Sequence, residues 1–213
     1  MQKLAIFDFD GCLVHTLDAW MVSGHVAFKR LGITVTNKQI IDKVFAGDHY
    51  APQDLGITDI EAFWKDYTDE YQKNIHLVSV HDGAIEALAE LRSAGVKVAL
   101  LSRTQRRSVD RVCELHPKLG AEIDFIVTRE DVEHHKPHPE GIYKIQDHFS
   151  IDSAHTFVIG DTSHDVRAGE SAGATTILYY PPHNEPYYSI DEIEALNADH
   201  LVHSFSEMVP IMI

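Results

Sequence analysis

The chain has 213 residues, of which 44% are hydrophobic and 24% are charged, and this composition excludes wholesale disorder. The length is sufficient for one well-buried core with a smaller insertion. The 18 basic and 33 acidic residues give a formal net charge of -15, which repels phosphate backbones and anionic lipid, so we expect neither nucleic-acid nor membrane-surface binding.

Two further features indicate the compartment. No uncharged apolar stretch reaches the length of about 18 residues that a membrane-spanning helix needs, and the opening MQKLAIFDFD has acids where a secretory signal has an apolar run. The two cysteines, Cys12 and Cys113, indicate reduced thiols rather than a disulfide framework. We therefore expect a soluble, cytoplasmic protein.

The first predicted elements are a buried strand over residues 3–9 and a helical segment over residues 15–79. The segment has three helical stretches: one that ends at Gly32, and two that open with possible capping boxes. These boxes are Thr36 with Gln39 and Thr58 with Glu61. The third stretch has aromatic residues along one side, which is typical of packing rather than of ligand contact: Phe63, Trp64, Tyr67 and Tyr71. We predict a helical cap domain here.

Strands and helices alternate after residue 80. Apolar runs predict further strands at residues 96–102, 157–160 and 174–179, with weaker ones at 123–128 and 200–203. A helix over residues 83–95 closes at Gly95, and residues 181–188 form a proline-rich loop. The alternation predicts an α/β, Rossmann-like three-layer core with a parallel sheet, built from residues 1–14 and 80–213.

Carboxylates follow two of the predicted strands where each strand ends. Asp8 and Asp10 close the first strand, and their alternate spacing places them on the same side. Asp161 and Asp165 follow the strand at residues 157–160. Carboxylates this close repel one another unless a charge compensates them, and a hard cation is the usual partner. Because the carboxyl ends of parallel strands share one edge of the sheet, the sequence predicts a cation site there.

Groups that suit an anion lie in two other segments. Ser102 and Arg103 lie where the strand at residues 96–102 ends, and Lys136 lies in the segment HHKPHPE. A set of carboxylates, one hydroxyl, one ammonium and a glycine-containing loop suits phosphoryl transfer, which needs a nucleophile, a metal and donors for the phosphoryl oxygens.

Four segments in order resemble the motifs of the haloacid dehalogenase superfamily of phosphohydrolases. They read DFDGCLVHT, LLSRT, KPHPE and GDTSHD. The resemblance covers nearly the whole chain, and residues 15–79 lie where that superfamily inserts its cap domain. The branch that the chain resembles is the phosphoglycolate phosphatase-like one with a small helical cap.

The resemblance implies a role for each matched residue. Asp8 would be the nucleophile that forms an aspartyl-phosphate, and Asp10 would be the general acid and base. Ser102 and Lys136 would bind the phosphoryl oxygens, together with backbone N–H groups of the loop that follows Asp10. The implied ligands of Mg²⁺ are Asp8, the backbone carbonyl of Asp10, Asp161 and Asp165. Gly11, Cys12 and Arg103 complete the implied substrate contacts.

The resemblance also narrows the reaction to hydrolysis of a small phosphorylated metabolite. The dehalogenases and phosphonatases of this superfamily lack an acidic residue at the position that Asp10 occupies here. The sugar-phosphate mutases carry a histidine at the position that Trp20 occupies here. Two alternatives stay open: a phosphotransferase or mutase, and a non-catalytic phosphate-binding regulatory protein. The sequence leaves open which phosphomonoester, among phosphoglycolate, sugar phosphates and nucleotides, is the substrate.

Two residues depart from the superfamily pattern. Cys12 replaces the usual threonine, and we expect its thiol to have a lowered pKa beside Lys136 and a metal, which would make it oxidisable. His15 replaces the common acid at the cap hinge and suggests a pH dependence near neutrality. The three histidines around Lys136, which are His134, His135 and His138, are more typical of a solvated loop than of a zinc site, because no cysteine lies close to them in sequence.

Overall fold

A computed structural model describes residues 2–213 of the chain. The chain divides into two compact units, of which one comprises the segment up to His15 together with Ser79–Ile213 and the other is Thr16–Val78. The sequence places the two junctions one residue away from these positions.

The larger unit is built on a six-stranded parallel sheet. The strands in chain order are β1 (Leu4–Phe7), β2 (Val14–His15), β3 (Ser79–Val80), β4 (Lys97–Leu101), β5 (Phe125–Val127), β6 (Thr156–Gly160), β7 (Thr175–Tyr179) and β8 (His200–Val202). The sheet has the order β5-β4-β1-β6-β7-β8, while β2 and β3 form a separate antiparallel pair. The predicted α/β fold class is confirmed, and so are all six predicted strands of this sheet.

Helices connect the strands. The α-helices are α1 (Leu17–Arg30), α2 (Asn37–Ile40), α3 (Ile60–Asn74), α4 (Ala84–Ser93), α5 (Arg106–Leu115), α6 (Pro117–Ala121), α7 (Glu140–Phe149), α8 (Ser163–Ala172), α9 (Ile190–Glu194) and α10 (Phe205–Met212). Short 3-10 turns lie at Ala51–Leu55, Ile75–Leu77, Arg129–Asp131, Ser153–His155 and Pro182–Asn184, and a π-helical turn at Ile41–Phe45 extends α2. No helix within residues 2–213 is long and apolar enough to cross a membrane.

The core of the larger unit explains why its strands read as uninterrupted apolar runs. Leu4 and Ile6 of β1 are buried together with Leu101 of β4 and Val158 of β6, and Ile142 of α7 packs into the same cluster. Strands in the middle of a parallel sheet are covered on both faces, so most positions along them are apolar. This arrangement leaves the strand ends as the place for polar side chains.

The smaller unit is helical and packs its aromatic side chains inward, as predicted. The ring of Trp20 in α1 stacks on Tyr71 of α3, with ring centroids 3.7 Å apart, and the Tyr67 hydroxyl donates to the carbonyl of Trp20 at 2.7 Å. The predicted capping box of Thr36 is present. The predicted cap at Thr58 is wrong, because the side chain of Asp59 accepts the backbone N–H of Ala62 and begins α3 instead.

Candidate active site

The candidate site lies at the carboxyl ends of three adjacent strands. Strand β1 lies between β4 and β6, and Phe7 is in register with Leu100 on one side and Ile159 on the other. The next residue after β1 is Asp8, and Ser102 and Asp161 directly follow β4 and β6. Parallel pairing therefore brings together three side chains that are far apart in sequence, as the sequence predicts.

Three carboxylates and one ammonium form the centre of this site. Oxygen atoms of Asp8, Asp161 and Asp165 lie within 4.8 Å of one another, and Asp161 and Asp165 are almost fully buried. The ammonium of Lys136 is also buried, and it lies 2.6 Å from Oδ1 of Asp8 and 2.6 Å from Oδ1 of Asp165. One positive charge thus faces three acidic groups in a region that excludes water, where charges interact strongly.

The pKa values of these groups reflect that imbalance. Burial and the neighbouring carboxylates raise the pKa of Asp8 to about 7, against the opposing effect of Lys136. Burial, and then the charges of Asp8 and Asp165, raise the pKa of Asp161 well above its ordinary value. Although burial alone would raise the pKa of Asp165, Lys136 and the Thr162 hydroxyl hold that pKa below its ordinary value. Burial alone would lower the pKa of Lys136, yet its two carboxylates raise it.

The surroundings of Asp161 fit a bound cation. Its Oδ1 atom is buried and has no hydrogen-bond partner among residues 2–213. Its Oδ2 atom accepts a hydrogen bond from Nδ2 of Asn184 at 3.3 Å, and the same Nδ2 donates to the carbonyl of Gly11 at 3.1 Å. A buried oxygen without a donor is costly unless a ligand satisfies it. A cation among these carboxylates would satisfy it and would favour the ionised forms of Asp8 and Asp161.

Two glycines allow the carboxylates to approach the backbone. Gly11 has a φ of 80°, and a Cβ atom there would lie 2.2 Å from Oδ2 of Asp161. At Gly160, a Cβ atom would lie 2.1 Å from Cγ of Asp165. Asp165 in turn accepts the N–H and the hydroxyl of Thr162, which makes the capping box that begins α8. The close packing of the carboxylates therefore favours glycine at both positions.

The Asp10 side chain lies beside the cluster but faces other partners. Its Oδ2 atom accepts a hydrogen bond from the Thr104 hydroxyl at 2.7 Å and a longer one from the Ser102 hydroxyl at 3.4 Å. The Ser102 hydroxyl also accepts the backbone N–H of Thr104 at 3.0 Å. The close group of carboxylate oxygens includes Asp8 but not Asp10. Arg103, in the same loop, is half-buried.

Cys12 does not have the environment expected of a reactive thiol. Its side chain is fully buried, and its Sγ atom faces the carbonyl of Ile159 at 3.9 Å. Burial, followed by the charges of Asp8, Asp161 and Asp165, raises the pKa of Cys12 well above its ordinary value. The expectation of a lowered pKa is wrong, because burial and the carboxylates together outweigh the effect of Lys136.

His15 belongs to a cluster of imidazoles beside the Gly11 turn. Its ring centroid lies 3.5 Å from that of His81 and 4.0 Å from that of His183. Burial, followed by the charges of His15 and His183, lowers the pKa of His81 from 6.5 to about 3. Of these three histidines, only His15 lies in a motif that the sequence identifies.

Sequence reasoning also missed Thr104 and Asn184. Thr104 is the last letter of LLSRT, so its place after a predicted strand was a signal that could have identified it. Asn184 lies in a proline-rich loop between β7 and α9, and no local pattern marks it.

Known proteins match nearly the whole chain. A family model for haloacid dehalogenase-like hydrolases matches residues 5–179. "Pyrophosphatase PpaX" of Bacillus mycoides is 25% identical over 209 residues, covering 97% of this chain and 95% of that protein. The fold is shared with two crystal structures. A "predicted phosphoglycolate phosphatase" from Haemophilus somnus has a TM-score of 0.82 and 18% identity, with 99% and 98% coverage of the two chains. CbbY from Rhodobacter sphaeroides in complex with phosphate has a TM-score of 0.81 and 19% identity, with 98% and 96% coverage.

Proposed function

The chain belongs to the haloacid dehalogenase-like hydrolase family, and we propose that it is a Mg²⁺-dependent phosphatase acting on a small phosphorylated metabolite through an aspartyl-phosphate on Asp8. The family resemblance predicted from the four motifs is confirmed, and so is the predicted enzyme class of a phosphatase-type hydrolase. The metal, the intermediate and the role of each residue are the proposal.

One observation carries the proposal. The Lys136 ammonium binds Oδ1 of Asp8 and Oδ1 of Asp165, both at 2.6 Å, at the buried edge of the sheet where Asp161 presents an unpartnered oxygen. Asp8, Asp161 and the backbone carbonyl of Asp10 would hold Mg²⁺, with Asp165 beside them, and the bound ion supplies positive charge that lets an anionic carboxylate meet an anionic phosphate.

The residues of the chain divide the reaction into two displacements. An oxygen of Asp8 attacks phosphorus while the P–O bond to the leaving group breaks, and Asp10 gives its proton to the leaving oxygen. Water then attacks the phosphorus of the aspartyl-phosphate and gives a proton to Asp10, and the bond between phosphorus and Asp8 breaks. Phosphate leaves, and both carboxyl groups return to their starting protonation states.

The other polar groups of the site would bind and orient. Lys136 holds Oδ1 of Asp8, which leaves the other carboxylate oxygen for the attack, and its charge also compensates the phosphate. The Thr104 hydroxyl orients the Asp10 carboxyl group by a 2.7 Å hydrogen bond. The Ser102 hydroxyl lies at the carboxyl end of β4 and would turn from Asp10 to a phosphoryl oxygen when a substrate binds.

The names of the similar proteins suggest substrates to test first. One curated relative is named a pyrophosphatase, and one structural neighbour is named a predicted phosphoglycolate phosphatase. We therefore propose inorganic pyrophosphate as a candidate beside phosphoglycolate, sugar phosphates and nucleotides. All of these present a compact phosphate to the same buried edge of the sheet.

The test is phosphate release from p-nitrophenyl phosphate and from this panel, with Mg²⁺ or with EDTA. Asp8→Asn and Asp10→Asn should each abolish turnover, whereas Asp110→Asn, which alters an exposed carboxylate on α5, should leave it unchanged. Phosphoryl transfer to the peptide that contains Asp8, detected by mass spectrometry in the Asp10→Asn variant, would support the intermediate. Turnover that persists in EDTA or in the Asp8→Asn variant would contradict the mechanism. Isomerised product without phosphate release would favour a mutase.

A further inference from the structure

A second group of potential metal ligands lies on the surface of the larger unit, in the loop before α7. Nitrogen atoms of His134 and His138 and a carboxylate oxygen of Glu140 lie within 4.8 Å of one another. Both imidazoles are exposed, and their ring centroids are 4.7 Å apart. Glu140 joins the two histidines only in the folded structure, as a third group.

The Glu140 carboxylate is fixed in place and ionised. Its Oε1 atom accepts the backbone N–H of Glu133, and its Oε2 atom accepts the backbone N–H of His134, both at 2.9 Å. These two hydrogen bonds lower the pKa of Glu140 to about 2. A ligand that is already held by its own loop loses little freedom when it binds an ion.

The interactions that now hold the two imidazoles are weak competitors for a metal. Nδ1 of His134 lies 3.0 Å from Oε2 of Glu140, with the histidine side chain 64% exposed, and solvent screens exposed pairs of this kind. The His138 ring accepts the backbone N–H of Glu140 at a long 3.2 Å. Both rings can therefore turn toward an ion at small cost.

From this geometry we propose that His134, His138 and Glu140 form a binding site for a divalent transition-metal ion, of which Zn²⁺ is the probe. Two imidazole nitrogens and one carboxylate favour Zn²⁺ and similar ions over Mg²⁺, which prefers an all-oxygen set. Solvent completes the coordination, because the ligands lie at the surface. The site is separate from the carboxylate cluster and does not depend on the proposed function.

The position of this site in the chain gives it a structural consequence. His134 and His138 flank Lys136 by two residues on either side, and Lys136 is the buried ammonium that binds Asp8 and Asp165. An ion held by residues on both sides of Lys136 restricts the loop that presents it. Zn²⁺ should therefore stabilise the folded protein as well as bind to it.

The test is isothermal titration calorimetry of Zn²⁺ into the full chain without a polyhistidine tag, in saturating Mg²⁺ so that the carboxylate cluster is occupied. The double variant His134→Gln with His138→Gln should lose this binding. Glu140→Gln should weaken binding by at least about tenfold, because even outer-sphere changes at metal sites cost about 10–100-fold in affinity. The matched control is His76→Gln with His200→Gln, which removes two exposed imidazoles elsewhere.

Thermal unfolding with and without Zn²⁺ provides the second measurement. The wild type and the control variant should gain Tm with Zn²⁺, and the double variant at His134 and His138 should not. Equal Zn²⁺ binding in the wild type and that double variant would overturn the proposal. An equal loss of binding in the control would also overturn it, because the surface histidines would then bind Zn²⁺ without distinction.

Discussion

Replacement of His81 by glutamine should make the stability of the protein less sensitive to acid. The His81 side chain is 4% exposed, and its Nε2 atom has no hydrogen-bond partner in the part of the chain that the structure describes. The rings of His15 and His183 lie beside the His81 ring, and the centroid of the Tyr179 ring lies 5.4 Å from that of His81. A proton on His81 would therefore place a charge in an apolar site beside two groups that can carry the same charge.

The size of the effect follows from the pKa of His81, which falls from 6.5 to about 3 on folding. Between these two values the unfolded chain binds the proton and the folded protein does not. Stability from this residue is therefore complete above pH 6.5 and decreases as the pH falls toward 3. Each pH unit within this window is worth about 1.4 kcal/mol, so the wild type should lose about 2 kcal/mol at pH 5 through His81 alone.

The measurement is urea unfolding of the wild type and of His81→Gln at pH 8 and at pH 5, in EDTA so that the carboxylate cluster is in the same state throughout. Titrating groups outside the imidazole cluster, including Asp8 with its raised pKa, contribute equally to both proteins and cancel in the difference. The wild type should lose about 2 kcal/mol more than the variant between the two pH values. A difference between the two proteins that stays the same at both pH values would refute the reasoning, whatever the stability of the variant at pH 8.

Three further predictions concern the carboxylate cluster. Gly11→Ala should reduce kcat/KM by about 100-fold, because displacement of a site group by about 1 Å costs this much and the new Cβ would lie 2.2 Å from Asp161. The control Gly32→Ala has a similar φ of 74° but meets no described atom within 4 Å, so activity lost equally in both would contradict the contact argument. Asn184→Leu should weaken Mg²⁺ binding, measured by calorimetry, by about tenfold, because Asn184 holds Oδ2 of Asp161; unchanged affinity would show that the hydrogen bond does not position the carboxylate. Asp161→Asn should raise Tm in EDTA by removing like-charge repulsion and should abolish the gain in Tm that Mg²⁺ gives the wild type; a gain retained in that variant would contradict the assignment of Asp161 to the cation site.

The centre of the site could be predicted from sequence because it depends on regular structure. Each of Asp8, Ser102 and Asp161 directly follows a strand that the apolar pattern identifies, and parallel pairing then fixes their common edge. The first strand ends two residues earlier than predicted, at Phe7, because the acids and Gly11 leave the ladder to form the turn. The error does not move the carboxylates from that edge.

The remaining contacts depend on side-chain directions that no sequence period encodes. Thr104 and Asn184 lie in loops, and each reaches the site through side-chain hydrogen bonds across a long separation along the chain. The prediction of a lowered pKa for the Cys12 thiol rests on its charged neighbours, whereas that pKa depends mainly on burial. The predicted cap of α3 is wrong by one residue, since Thr58 and Asp59 are both residue types that favour the N-cap position and the sequence does not distinguish them.

The carboxylate cluster leaves no room for a side chain at two backbone positions beside it, Gly11 and Gly160. Burial and mutual repulsion oppose the ionised form of Asp161, so the cluster lowers the stability of the fold unless a cation is present. The chain holds it together with short-range devices: the Gly11 and Gly160 positions that admit no Cβ atom, the Thr162 cap of Asp165, and the buried ammonium of Lys136. These devices fix the carboxylates before any ligand binds, which is the preorganisation that a phosphoryl-transfer site requires. The burial and crowding of the carboxylates therefore both lower the stability of the fold and prepare the site for phosphoryl transfer.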